Sequence, residues 1–165
     1  MSSPGNIKIG SKLVEGGKVY TVYKIEEKTI DGAPRRIICY KPHFSDYTND
    51  TVVCSLPEDN LQEANIRRPI SLTELENIIR NLSSGPQREE LDVVEAKVTL
   101  GGNDIYESVE ILKIYWREKN KNEEGFTKAK KDILNLALEK IVEEVALIQK
   151  TSLEAARTAI TKALS

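Results

Sequence analysis

Ser71-Leu72-Thr73-Glu74-Leu75-Glu76-Asn77-Ile78-Ile79-Arg80-Asn81-Leu82 is the stretch where the hydrophobic period of this chain changes. Ser71 followed by Glu74 has the spacing of a capping box, in which each side chain satisfies the other residue's backbone N–H. Leu72, Leu75, Ile78, Ile79 and Leu82 then recur at helical intervals and form one apolar stripe. Before Ser71 the dominant period is two, and after it the period is 3.6. The reading is therefore α+β, with strands first and helices second.

Working back toward the N-terminus, Lys18 to Glu27 alternates. Val19, Thr21, Tyr23 and Ile25 occupy one phase, and Tyr20, Val22 and Lys24 the other, as in a strand partly covered on both faces. Asp31-Gly32 is a turn pair leading to a return strand over Arg35–Lys41. Leu13-Val14 before Glu15-Gly16-Gly17 reads as a first strand and turn. Thr51–Leu56 reads as a last strand stopped by Pro57. The sum is a small, bent antiparallel sheet, too small to bury much alone.

Working forward, Ser83-Ser84-Gly85-Pro86 ends the first helix and is the linker candidate. Gln87–Leu100 reads as a helix with Leu91, Val94 and Val98 inward. Asn103 or Asp104 caps a helix to about Lys121, with Ile105, Val109, Leu112, Tyr115 and Trp116 inward. Thr127 caps a longer helix carrying Ile133, Leu134, Leu136, Ala137, Ile141, Val145 and Ile148. Thr151 or Ser152 caps the last, with Leu153, Ala156, Ile160 and Leu164. Four helices on short links make a compact bundle. Trp116 continues the apolar stripe of its helix and is read as core rather than as a contact with DNA.

The chain has 165 residues, 39% hydrophobic and 30% charged, enough for a core. Its 24 basic and 26 acidic residues exclude a strongly basic nucleic-acid binder on bulk charge. Residues 1–70 carry 10 basic and 9 acidic side chains, and residues 71–165 carry 14 and 17. No apolar run approaches the roughly 18 residues that span a bilayer, and no N-terminal signal is read. Cys39 and Cys54 are read as reduced, packed thiols, which fits a cytoplasmic setting. His43 is the only histidine and sits in a polar loop, Lys41 to Asp50, so no His-rich metal site can form. No catalytic residue, metal or cofactor is expected.

Several stretches, in order, carry a resemblance. They are Ile7-Lys8-Ile9-Gly10-Ser11-Lys12-Leu13-Val14, Tyr23-Lys24-Ile25-Glu26-Glu27-Lys28-Thr29-Ile30-Asp31-Gly32 and Val52-Val53-Cys54-Ser55-Leu56-Pro57. Ile66-Arg67-Arg68-Pro69-Ile70-Ser71, Ile114-Tyr115-Trp116-Arg117 and Gly125-Phe126-Thr127 ahead of Lys130-Lys131 follow. Together they resemble the CarD family of bacterial RNA-polymerase-binding transcription regulators, from about Ile7 to Leu164. The resemblance implies a Tudor-like β-barrel that docks on the RNA polymerase β subunit. It also implies a helical domain lying against promoter DNA, so that the open complex is stabilised. It divides the chain into a flexible tail (1–6), a Tudor-like domain (7–70), a connecting helix and linker (71–86) and a helical domain (87–165).

On the polymerase side it points to Lys28, to Arg35 and Arg36 beside the Asp31-Gly32 turn, and to Ser55, which stands where many members have an arginine. On the DNA side it points to Arg88, Lys130 and Lys131 as phosphate contacts. Two further departures are visible. Glu15-Gly16-Gly17-Lys18 replaces the family's Tyr-Pro and His-Gly turn. Gln87, followed by Arg88-Glu89-Glu90, replaces a tryptophan that wedges into the minor groove, and glutamine supplies no apolar wedge. Expected partners are the polymerase β subunit and, weakly and without sequence preference, promoter DNA, with the free protein a monomer. The alternative is a protein–protein interaction module that never touches DNA. Arg67 and Arg68 are read as structural links between barrel and helix.

Overall fold

A computed structural model describes residues 6–45 and 49–165. The chain forms two compact units, Met1–Pro69 and Ile70–Ser165. The first five residues of the expected tail, and 46–48 of the polar loop, lie outside the described residues. Asn6, expected in the tail, is tied down: its carbonyl accepts from Arg68 Nη2 at 2.9 Å.

The first unit is an antiparallel sheet of strands β1 (Lys12–Glu15), β2 (Lys18–Ile30), β3 (Ala33–Pro42) and β4 (Cys54–Pro57), in the order β1-β2-β3-β4. Each ladder joins neighbours in sequence, and none among the described residues closes β4 onto β1. Both tight turns place two consecutive residues at positive φ, Gly16 and Gly17 (57° and 81°) and Asp31 and Gly32 (53° and 80°). That is the turn geometry whose twist suits a two-residue hairpin.

The β2–β3 register slips once, between Val22 and Lys24. Tyr23 is the extra residue of a β-bulge, and this corrects the simple alternation expected over Lys18–Glu27. Before the bulge Val22 opposes Tyr40; after it Ile25 opposes Ile38. Ile25 thus joins Val22 on one face instead of Val19 and Thr21. That face packs Leu13, Val22, Ile38 and Tyr40 with Ile7, Leu61 and Ile66 into a core, and Tyr20 meets Tyr40 edge to face. β4 is shorter than expected and includes Pro57. Its ladder starts at Tyr40↔Cys54, so Val52 and Val53 precede the strand and are exposed. Cys39 opposes Ser55 and Tyr40 opposes Cys54, so the two free thiols stand on opposite sheet faces. Arg67 and Arg68 bind the sheet unit itself: the Arg67 backbone bonds Val14 in both directions, at 2.7 and 3.0 Å.

The second unit holds α1 (Leu72–Arg80), α2 (Val93–Leu100), α3 (Ile105–Lys121), α4 (Lys128–Gln149) and α5 (Leu153–Leu164). The capping box at Ser71 and Glu74 forms in both directions. Asp104, Thr127 and Ser152 cap α3, α4 and α5 through their side chains. α1 and the segment 83–86, expected as a connector, belong to this unit. Arg157 of α5 holds Glu139 of α4 with two nitrogens at 2.8–3.0 Å.

The expected Gln87–Leu100 helix starts later. Asp92 caps it by accepting from Glu95 N, so residues 87–92 precede the helix. Leu91 is buried ahead of it, while Val94 and Val98 are 71% and 75% exposed. Ala96 and Leu100 take the inward positions, because the face that meets α4 is set two residues on from Val94 and Val98. Leu72 and Leu136 also lie outside the core stripe, both exposed. On α3 the inward face is wider than expected and adds Ile111 and Ile114. Trp116 is only half-buried at its edge, which corrects the core assignment in part. No helix among the described residues is long and apolar enough to cross a membrane.

Candidate protein-interaction site

β2 outruns its neighbour. Its ladder with β1 ends at Lys12↔Thr21, and Val22 makes the last bonds, with Gly10 N and Ser11 O at 2.8 and 2.9 Å. From Lys24 to Ile30 its ladder, among the described residues, is with β3 alone. A strand edge of this kind pairs readily with an incoming extended segment.

The register fixes which side chains accompany that edge. Lys28 opposes Arg35, Glu26 opposes Ile37, Lys24 opposes Cys39, and Cys39 opposes Ser55. Opposed residues share a face, and faces alternate along a strand. Lys28, Arg35 and Ser55 therefore lie on one face, with Lys24 and Glu26 between them. Arg36 opposes Glu27 on the other face. The structure brings three of the four expected polymerase-side residues together and separates the fourth.

These cations are not equally available. Arg36 donates to the Ile7 carbonyl at 2.8 Å and pairs with Glu58 at 2.9 Å, so it fastens the chain start and the 3-10 turn Glu58–Asn60 to β3. Arg35 reaches Asp59 and Asn60 of the same turn, both at 3.4 Å. Lys28 is exposed and pairs with Glu26 at 3.3 Å. Glu26 also pairs with Lys24. Hydrogen bonds from Lys24 and then Lys28 hold the Glu26 carboxyl below its ordinary range, and the Lys24 ammonium is raised in return. Glu26 is the residue that sequence reasoning missed. Its i±2 lysines were visible in Lys24-Ile25-Glu26-Glu27-Lys28, whereas Glu58 and Asp59 carry no local signal. Tyr23, thrown out at the bulge, is partly exposed with the Lys41 ammonium 5.4 Å from its ring centre.

The expected DNA-side residues sit in mixed charge. Arg88 precedes α2 and lies 3.8 Å from Glu95. Lys130 is paired with Glu118. Lys131 is exposed. The Gln87 backbone N–H donates to both oxygens of Glu110 at 3.0 Å, and Arg117 donates to the Glu89 carbonyl at 2.9 Å. A shallow concavity beside them is lined by Glu89, Glu90, Arg117, Glu118 and Lys121, with more carboxylates than cations. A phosphate approaching here meets acidic side chains as well as basic ones.

Tyr106, half exposed, donates its hydroxyl to Glu74, the capping-box residue of α1. This bond, then burial, pushes the phenol up to about 12. A phenol raised in the folded state contributes stability below its ordinary value, and loses it as pH climbs through the raised one. In an NMR pH titration of the tyrosine ring carbons, Tyr106 is expected to remain protonated where Tyr106 of the Glu74→Gln variant has already ionised. Identical titration curves would show that the bond to Glu74 does not set the value.

A scan against family models gives no match for this chain, and a search of curated proteins gives none either.

Proposed function

We propose that this chain is a transcription regulator of the CarD type. In this reading the sheet unit is a Tudor-like module that binds the β subunit of RNA polymerase in the bacterial cytoplasm, without catalysis or cofactor. The observation that supports it is the β2 edge running on past Val22 with Lys28 and Arg35 opposed beside it. The collinear sequence resemblance names the partner. Backbone pairing along the edge supplies affinity, and Lys28 and Arg35 select an acidic partner surface. Ser55 borders the same face, while Arg36 acts by holding the Glu58–Asn60 turn in place. Binding the open promoter complex better than the closed one shifts the population toward open. DNA contact in this scheme is weak and made to phosphates, with Lys131 leading because Arg88 and Lys130 already have carboxylate partners.

A second reading, a protein-interaction module that never meets DNA, is favoured by one observation, the Glu89, Glu90 and Glu118 concavity at the expected DNA side.

The test is the affinity of the intact chain for an isolated β lobe of a bacterial polymerase. Micromolar binding is expected, weakened about tenfold by Lys28→Glu, a loss of ~1.4 kcal/mol. No binding to a cognate lobe would remove the main support for the transcription reading. Retained lobe binding with no salt-dependent DNA binding would favour the second reading.

A further inference from the structure

On α3, Lys113, Arg117 and Lys121 follow one another at intervals of four and so stack on one helix face. Like charges at this spacing disfavour a helix unless something neutralises them. The two nearest carboxylates of α3 are committed elsewhere: Glu110 to the backbone N–H groups of Gln87 and Arg88, Glu118 to Lys130. Arg117 spends one nitrogen on carbonyls. Neither Lys113 nor Lys121 makes an ion pair with any described residue.

All three cations line one cavity of about 270 Å³. Its apolar wall is made by Leu82, Pro86, Trp116 and Leu164, and no described carboxylate lines it. That is unusual in a unit where acids outnumber bases, and it contrasts with the neighbouring concavity, which shares Arg117 and Lys121 but holds three glutamates. Trp116 also gives the cavity wall a polar atom that is shielded from solvent. Its Nε1–H is buried and has no acceptor among the described residues. A buried donor left unpaired costs free energy comparable to a lost hydrogen bond. Two lysines without ion pairs and an apolar wall, brought together in one cavity, form the recognition set for a small amphiphilic anion.

We propose that this cavity binds a small organic anion, a carboxylate with an apolar body. Lys113 and Lys121 hold the carboxylate, and the body packs on Leu82, Trp116 and Leu164. The site lies wholly in the helical unit and does not depend on the polymerase reading.

Trp116 is the only tryptophan, so its indole N–H gives a single reporter resonance. The intact protein is titrated with sodium octanoate, with 1-octanol and with sodium acetate. Octanoate is expected to shift the indole N–H and Trp116 fluorescence saturably. Octanol and acetate are each expected to bind at least about tenfold more weakly, since each lacks half of the recognition set. The double variant Lys113→Gln/Lys121→Gln is expected to weaken octanoate about tenfold or more, with Lys97→Gln, on exposed α2, leaving it unchanged. Equal binding of octanol would show a merely apolar hollow. Equal response to acetate would show simple screening of surface charge. No saturable shift with octanoate would overturn the site.

Discussion

Tyr115→Ala is expected to cost the helical unit about 3–5 kcal/mol, the range for truncating a large buried aromatic. Tyr115 is fully buried in α3, and its hydroxyl donates to the Leu91 carbonyl at 2.6 Å. Two separate losses follow from its removal. The ring leaves a cavity that the surrounding Leu and Ile side chains fill only in part. The hydroxyl leaves a carbonyl without its donor in the segment that precedes α2. Residues 87–91 have no helix of their own and are held to α3 by three side chains, Glu110, Tyr115 and Arg117. Tyr115→Phe keeps the ring and removes only the latch, so it is expected to cost about 1–3 kcal/mol. Chemical denaturation followed by helical circular dichroism separates the two. A Phe variant as stable as the parent would mean that the Leu91 carbonyl finds water at no cost, and that packing alone holds the segment.

In the sheet unit the largest effect is expected at Ile38. Ile38→Ala is expected to cost about 2–5 kcal/mol. Ile38 is fully buried between Ile25 on β2 and Leu56 on β4. It sits in the middle strand pair of a small core, so little neighbouring structure is left to close the gap. Amide hydrogen exchange reads the result where it arises: protection on β2 and β3 should fall by the same free energy. The exposed Ser55→Ala substitution on β4 should leave it nearly unchanged. Unaltered protection after Ile38→Ala would mean that the sheet is not held by the Leu13, Val22, Ile38 and Tyr40 cluster.

Local signals of this chain translated directly into structure. The Ser71 and Glu74 capping box, the Gly16-Gly17 and Asp31-Gly32 turns and the Thr127 cap are each decided within a few residues, and each formed as read. Signals that needed a partner did less well. Leu91, Val94 and Val98 share helical spacing, but α2 starts at Asp92 and turns Ala96 and Leu100 inward, which only the position of α4 decides. The Asp92 and Glu95 spacing did announce that later start. The Tyr23 bulge has no local signature at all, since it follows from which residues of β3 lie opposite.

The candidate site divides along the same line. Lys28 and Arg35 could be paired from the Asp31-Gly32 turn by counting outward. The tethering of Arg36 to Ile7 and Glu58 could not, because these residues are distant in sequence. For the same reason the pairing of Lys130 with Glu118, across two helices, was invisible where the basic residues alone attracted attention.

The bulge on β2 has a consequence best put in the language of reading frames. Tyr23 is a frameshift in the pairing: Val22 and Lys24 oppose consecutive residues of β3, Tyr40 and Cys39. One residue of β2 is therefore surplus to the ladder. Deleting Tyr23 would leave every other pair in frame and yield a straighter, in-register hairpin. Deleting a residue well away from the bulge would shift the stretch in between by one position, swapping its core and solvent faces unless the surplus residue moved to absorb the change. Tyr23 is thus the single position in this strand where length can change by one and the frame survive. What the hairpin would lose there is its bend, and with it the outward placement of the Tyr23 ring beside Lys41.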